Sequence, residues 1–544
     1  MPRTPLLRAL RRLADDQHAA DRLGIPVSEL HERRADDAAY DRGEFLKRAG
    51  VAGAGALAGS AYFAEHARAA KGGTNARVAI IGGGIAGLTA ALTLQDQGVY
   101  ADVYESSGRI GGRMHSDWTE FGTGFWDNGQ QAELCGELID SGHKKILKLA
   151  NRFNLATVDL LAAQPPGTED TNWIFGADYT PDQAAADFQG VSTVLKRQLK
   201  AAGYPTLYNS STPTGQMLDQ MSVRDWIANY VPGGLSSKFG ALLNAAYNEE
   251  YGAETTGQSS LNLVYLLGFQ PNTGFSVLGQ SDERFHIAGG NSNLPIAIAN
   301  ALPAGSVHLG YSMSSIALKN DGSIKVTFSN GTSITADQVI LCMSFSVLRT
   351  LDYSKAGFDQ LKQTAITQLG SGHNAKLNVQ FTSRLWNAQG STGNLYTDLS
   401  IESGWDVTRG QSGATGILVE YPGANTATSL AQSNPYTTTA NNPNVKKAVQ
   451  SYLKQLEAIY PGISARWNGK AMLSTPFTDP NLLCSYSYWK VGQYTSFSGY
   501  EGVRQGNIHF AGEHCSTNFQ GFMEGGAEEG QRAAKEILSD LGVG

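Results

Sequence analysis

The chain has 544 residues, a formal net charge of −7, 41% hydrophobic residues and 17% charged residues. This length holds a sizeable core and two or three domains. The acidic balance without a basic cluster excludes a nucleic-acid surface, and no apolar run is long and pure enough for a transmembrane helix. Cys135, Cys342, Cys484 and Cys515 are too few for a disulfide scaffold and ill-spaced for zinc, so no metal is expected.

Residues 1–70 read as a leader outside the fold. Arg42-Gly43-Glu44-Phe45-Leu46-Lys47-Arg48 precedes an Ala/Gly-rich stretch, Ala49–Ala64, and Ala67-Arg68-Ala69 fits an A-x-A cleavage site. The arrangement resembles a twin-arginine export signal with Gly43 where the second arginine belongs. Export is the expectation, with a cytoplasmic protein as the other reading.

Val78–Ile81 is a short apolar run, as a buried parallel strand requires. Gly82, Gly84 and Gly87 follow in G-x-G-x-x-G spacing, and Ile85–Leu94 has helical periodicity. These glycines permit a tight turn, the approach of a pyrophosphate and close helix–strand packing, and the phosphates meet the helix N-terminus. A second run, Ala101–Tyr104, ends in Glu105, at about the twenty-residue distance where an acid meets a ribose. Arg109-Ile110-Gly111-Gly112-Arg113 then places two cations where they can pair with phosphate oxygens.

GGGIAGLTAA…VYESSGRIGGR resembles the FAD-binding start of the flavin amine oxidases, a family that includes monoamine, polyamine and L-amino acid oxidases. Near the other end, Ala511-Gly512-Glu513 and Gly521-Phe522-Met523-Glu524-Gly525-Gly526 lead into a helix predicted over Ala527–Leu541. This segment resembles the family's C-terminal flavin motif. The resemblance implies an α/β fold: a Rossmann-like FAD-binding domain in segments 71–150, 281–345 and 481–544. An interleaved α+β, partly helical substrate domain occupies 151–280 and 346–480.

Within the segments, Met217–Tyr230 and Gly240–Tyr251 are helical by period. Asp282–Leu302 reads strand, Gly-Gly-Asn turn and helix. Ser306–Leu309, Ile324–Phe328, Ser333–Thr335 and Gln338–Cys342 alternate as strands, as a bare pattern a β-meander. Lys376–Phe381 alternates too, and by itself Lys376 reads as a solvated strand-end lysine.

The resemblance carries cofactor contacts onto Gly82, Gly84, Ile85, Ala86, Gly87, Glu105, Ser106, Arg109, Gly112, Arg113, Met313, Gly512, Glu513, Gly521, Phe522 and Met523. It makes Lys376 the lysine that holds a water against flavin N5, and makes Tyr486 and Phe522 the aromatic walls around the substrate amine. Cys135 stands where the family has glycine and reads as a small buried residue. FAD is expected to be non-covalent; matching by the tyrosine puts Ser485 rather than Cys484 at the tether position of monoamine oxidases.

The implied reaction passes a hydride from a neutral amine to FAD, hydrolyses the imine and returns electrons to oxygen as hydrogen peroxide. DNGQQAELCGELIDSGH, DERFHIAGGN and the Trp405–Gly423 stretch resemble bacterial L-amino acid oxidases, which implies L-amino acids as substrates. The alternatives are a monoamine or polyamine oxidase, and, from another class, an FAD-dependent desaturase or isomerase or a non-catalytic flavoprotein. A buried substrate carboxylate needs a cation. Snake-type L-amino acid oxidases place an arginine shortly after G-G-R, where this chain has Leu138 or its neighbours, so Arg284 and Arg384 become the candidates. The expected partners are the small-molecule substrate and molecular oxygen, with no nucleic acid and no membrane; the resemblance leaves room for a homodimer.

Overall fold

The computed structural model describes residues 76–270 and 275–543. The expected leader, residues 1–70, lies outside them. Among the described residues no helix is long and apolar enough to cross a membrane.

A mixed α/β architecture, as expected, is built on two main sheets. The first has five parallel strands in the order Ile508–Phe510, Gln338–Leu341, Val78–Ile81, Ala101–Glu105, Val307–Leu309. Val78–Ile81 lies in the middle and is buried at every position, the reason its sequence is apolar throughout. Strand order reverses there, and the crevice beyond the carboxyl ends of such strands is where a nucleotide binds.

Helix Ile85–Asp96 leaves this central strand and is buried almost all round. A Cβ on Gly87 would lie 2.0 Å from the Gly82 carbonyl oxygen, so only glycine lets the helix start on the turn. The C-terminal helix, Met523–Asp540, crosses it in backbone contact: a Cβ on Gly530 would lie 2.0 Å from the Ala86 carbonyl oxygen. Two motifs far apart in sequence therefore bring their helix starts together.

The second sheet has eight strands in the order Tyr436–Thr438, Trp467–Ser474, Lys376–Phe381, Gly416–Glu420, Ser403–Asp406, Ser391–Thr397, Glu169–Ile174, Ala177–Asp178. Lys376–Phe381 is an interior strand, antiparallel to both neighbours and buried at all six positions. Leu377, Val379 and Phe381 pack with Val445, Val449 and Leu456 of helix Pro443–Ile459. Helices Pro181–Ala202, Pro213–Asp219, Val223–Tyr230, Lys238–Tyr251 and Ser260–Leu267 form the helical part.

Three expectations are corrected. The helix predicted over Met217–Tyr230 is two helices, because Ser222 is extended and its hydroxyl caps the second by accepting the Asp225 N–H. The four-strand meander does not form. Val307–Leu309 and Gln338–Leu341 belong to the parallel sheet, while Ile324–Phe328 pairs with Ser333–Ala336 and with Met313–Leu318, a strand the alternation did not reveal. The C-terminal helix begins at Met523, four residues ahead of the predicted Ala527.

Candidate active site

At the nucleotide end, Glu105 closes its strand and accepts the Gly83 N–H at 2.7 Å through one carboxylate oxygen. Its other oxygen takes the Ser107 N–H at 2.8 Å and the hydroxyls of Ser106 and Ser107. Arg109 donates to the Gly112 carbonyl at 2.9 Å. Arg113 donates from Nη1 to Glu513 at 2.8 Å and to the Ser485 carbonyl at 3.1 Å. Met313 is buried at the start of its strand.

The helix starts are informative. Thr180, Thr212, Ser222, Ser237, Ser259, Asp359 and Asn442 each cap a helix with a side-chain oxygen. Gly84 and Phe522, the first residues flanking the two motif helices, supply no side-chain cap. Ile85 and Ala86 open the first of these helices and Met523 the second. Glu524, in the first turn of the C-terminal helix, instead accepts the N–H groups of Lys145 and Ile146 at 2.8 Å each. Ile85, which opens the first helix, lies 3.0 Å from the Cβ position of Gly526 near the start of the second, so the two helix starts are neighbours and together suit an anion. The residues present thus fit a dinucleotide such as FAD.

Glu513 follows Gly512 at the end of the Ile508–Phe510 strand and is buried. Its carboxylate also accepts the Ser487 N–H at 3.1 Å, the Ser487 hydroxyl at 2.8 Å and the Gly521 N–H at 2.8 Å. Burial would raise its pKa, but Arg113, then His514 and the hydrogen bonds, outweigh this and hold it below the usual carboxylate range.

Lys376 is not solvated. It is 5% exposed, and its ammonium meets Glu137 Oε2 at 2.6 Å. The other Glu137 oxygen accepts the Trp405 indole N–H at 3.0 Å. The ammonium also lies 5.2 Å from the Trp405 ring centroid and 5.8 Å from that of Tyr421. Sequence reasoning missed Glu137; the available signal was a second acid inside the apolar stretch Ala132–Ile139, which burial obliges to find a partner.

Tyr486 donates to the Glu249 carbonyl at 2.9 Å, and its hydroxyl is 3.3 Å from that of Tyr421. Tyr421 packs edge-on to Trp405 at 5.2 Å. Tyr486, Tyr421 and Trp405 thus form one continuous aromatic wall leading to Lys376. Gly521 lies beside the Tyr486 ring, and Phe522 follows it with its ring 5.0 Å from that of His143. Met523 sits under Gly136, whose Cβ position is 3.4 Å from the methionine sulfur.

Burial pushes the Tyr486 phenol well above its ordinary value, and Tyr421, Glu250 and Glu249 add to this. The Glu249 carboxyl is itself raised well above the usual range, by burial first and then by Glu250, Glu283 and Glu402. Glu249 and Glu250 thus lie close enough to Tyr486 to raise its phenol, and the space behind the wall gathers acidic groups.

The two arginines proposed for a substrate carboxylate are engaged elsewhere. Arg284 forms an ion pair with Asp159 at 2.5 Å and is 40% exposed. Arg384 donates to the carbonyls of Gly413, Thr408 and Gln411. Cys135 is half-buried, and burial raises its thiol pKa. Cys484 is buried, with Sγ 3.5 Å from the Leu482 carbonyl.

A parallel sheet with a Gly-rich helix start at its switch point, joined to a buried lysine and an aromatic wall, suits an enzyme that holds a nucleotide cofactor. The particular family follows from comparison. The profile described as "Flavin containing amine oxidoreductase" matches residues 85–538, and the chain belongs to this family. It is 24% identical to YobN of Bacillus subtilis, provisionally named an L-amino-acid oxidase, over 85% of this chain and 94% of YobN. It is also 24% identical to nicotine dehydrogenase of Pseudomonas putida, over 90% and 94% of the two chains. Cyclohexylamine oxidase from Brevibacterium oxydans IH-35A shares the fold, with a TM-score of 0.72 at 20% identity, covering 86% of this chain and 100% of that one. The protein is a flavin-dependent, amine-oxidising oxidoreductase. Equal identities to an L-amino-acid-oxidase relative and an amine-metabolising one do not support the narrower resemblance to L-amino acid oxidases.

Proposed function

We propose that the chain is an FAD-dependent oxidase of amines that carry no carboxylate, with oxygen as the final acceptor. The observation that carries this reading is the sign of the space around Tyr421 and Tyr486. A substrate carboxylate would enter beside Glu249 and Glu250, and Lys376 at this wall already pairs with Glu137. An ammonium, by contrast, would favour the ionised form of the Glu249 carboxyl, which burial disfavours. Where a carboxylate-binding arginine is expected after G-G-R, this chain has Leu138 or its neighbours, none of them an arginine. Cyclohexylamine oxidase and putrescine oxidase, both structural neighbours, support an amine as substrate.

The bound flavin supplies the hydride acceptor. The chain's own residues do the rest. Gly82–Gly87, Glu105, Arg113, Glu513 and the start of the C-terminal helix hold the cofactor without a covalent tether. Tyr421, Tyr486 and Trp405 wall the substrate and exclude water, and Phe522 stands next to Gly521 at the start of the flavin helix. Lys376 holds a positive charge at a fixed point of this wall. A leader directing export and a homodimer belong to the same reading.

The deciding experiment is a peroxide assay on amino acids beside their decarboxylated amines, such as phenylalanine and phenethylamine. Amine turnover without amino-acid turnover is expected. The reverse result would overturn this reading and restore the L-amino acid oxidase supported by the relative YobN. A yellow protein that forms no peroxide with either would point to the desaturase, isomerase or non-catalytic class.

A further inference from the structure

Lysine has four rotatable side-chain bonds, and burying its ammonium costs several kcal/mol unless a partner takes the charge. Lys376 and Glu137 have side chains only 6% and 7% exposed, and they meet at 2.6 Å. Glu137 uses both oxygens: one for the ammonium, one for the Trp405 indole N–H at 3.0 Å. Trp405 and Tyr421 also turn their rings to the same ammonium. The lysine is on an interior strand, the glutamate on the segment after G-G-R, and the tryptophan on the strand Ser403–Asp406, so three elements converge on one nitrogen.

We infer that Glu137 is the positioning residue for Lys376, with Trp405 orienting its carboxylate. The inference rests on the reading that Lys376 works at the flavin. Glu137 fixes where the ammonium stands. The other titratable groups around the pair are Glu133, Asp117 and Cys135 from the same domain segments, His286 from the strand Phe285–Ile287, and Tyr421. Glu137 is the carboxylate that meets the ammonium, at 2.6 Å, so it holds that nitrogen in place.

The test uses flavin-loaded protein and stopped-flow absorbance of both half-reactions, reduction by an amine and reoxidation by oxygen, over roughly pH 6 to 10. Glu137→Gln should slow the half-reaction that Lys376→Met slows, by about 10- to 100-fold. Glu137→Asp should recover part of the lost rate, and Glu137→Gln in the Lys376→Met background should cost nothing further. Unchanged rates in Glu137→Gln, or an equal cost with and without the lysine, would overturn the inference. Should Glu137→Gln fail to fold with flavin, Trp405→Phe and Glu137→Asp decide: a smaller slowing of the same half-reaction supports the inference, and wild-type rates in both overturn it. If Lys376→Met alters neither half-reaction, the underlying reading of the lysine fails; if it slows one while the Glu137 variants behave as wild type, only the role of Glu137 fails.

Discussion

Arg113 and Glu513 stand 400 positions apart and meet at 2.8 Å. The arginine ends the first cofactor motif and the glutamate opens the last. Through Ser485, Ser487 and Gly521 the pair also holds the segment carrying Tyr486 and the turn before the flavin helix.

This pin can be broken from one side. Glu513→Gln removes the charge that Arg113 needs and weakens four acceptor contacts. A loss of about 3 kcal/mol is expected, as for other buried pairs deprived of one partner. The purified variant should also carry much less flavin. Thermal melts and the ratio of flavin to protein absorbance check this; full flavin content with an unchanged Tm would mean that the pair is incidental.

Lys376→Met keeps approximate side-chain length and removes the ammonium. Flavin binding should survive, because the cradle lies in the other sheet. Reduction or reoxidation of the flavin should fall by about 100-fold. The variant also leaves Glu137 without its cation, so its melting temperature must be measured beside the kinetics. Two unaltered half-reactions would leave the lysine a packing residue.

Tyr486 touches Tyr421 and the Glu249 carbonyl through its hydroxyl, so two substitutions separate ring from hydroxyl. Tyr486→Phe should cost about 1 kcal/mol of stability and little turnover. Tyr486→Ala should raise KM and lower kcat together, because the wall then admits water. Steady-state kinetics on one amine suffice, and an alanine variant with wild-type constants refutes the wall.

FAD should be released by acid. Cys484 is 1% exposed and directed at the Leu482 carbonyl, while Ser485 gives its hydroxyl to Asn374. Yellow supernatant after acid precipitation is the expected result, and flavin retained in the pellet would show a covalent tether.

Glu420 lies in the eight-stranded sheet with its carboxyl pushed up to about 8, first by burial and then by Glu402. Its folded pKa is raised above the unfolded value. The folded chain therefore keeps a proton that the unfolded chain has lost, and stability falls as pH rises from about 4.5 to 8. Glu420→Gln should flatten that fall and raise the melting temperature at pH 8 by on the order of 2 °C. Melting curves from pH 5 to 8, read by flavin fluorescence, check it. A variant that follows the wild-type slope would place the titrating group elsewhere.

The cofactor half of the site was legible in the chain because its chemistry is local. Gly82, Gly84 and Gly87 act within one turn, Glu105 acts at the end of the next strand, and both motif helices announce themselves by period. The strand Lys376–Phe381 was equally readable, since alternation is a property of neighbours in sequence. What alternation could not supply was the surroundings. Lys376 looks like a solvated lysine until the sheet order places a paired strand on each side of it and Glu137 against its ammonium. The meander failed for the same reason: Gln338–Leu341 pairs with Val78–Ile81, more than two hundred positions away, and register across such a distance is set by packing. The family, the fold and the cofactor cradle were determined by residues that act on their own neighbours. The surroundings of Lys376 and Tyr486 were decided only by tertiary structure, because they depend on which buried groups end up sharing one low-dielectric space, and Glu137, Glu249, Trp405, Tyr421 and Tyr486 come from five separate stretches of chain.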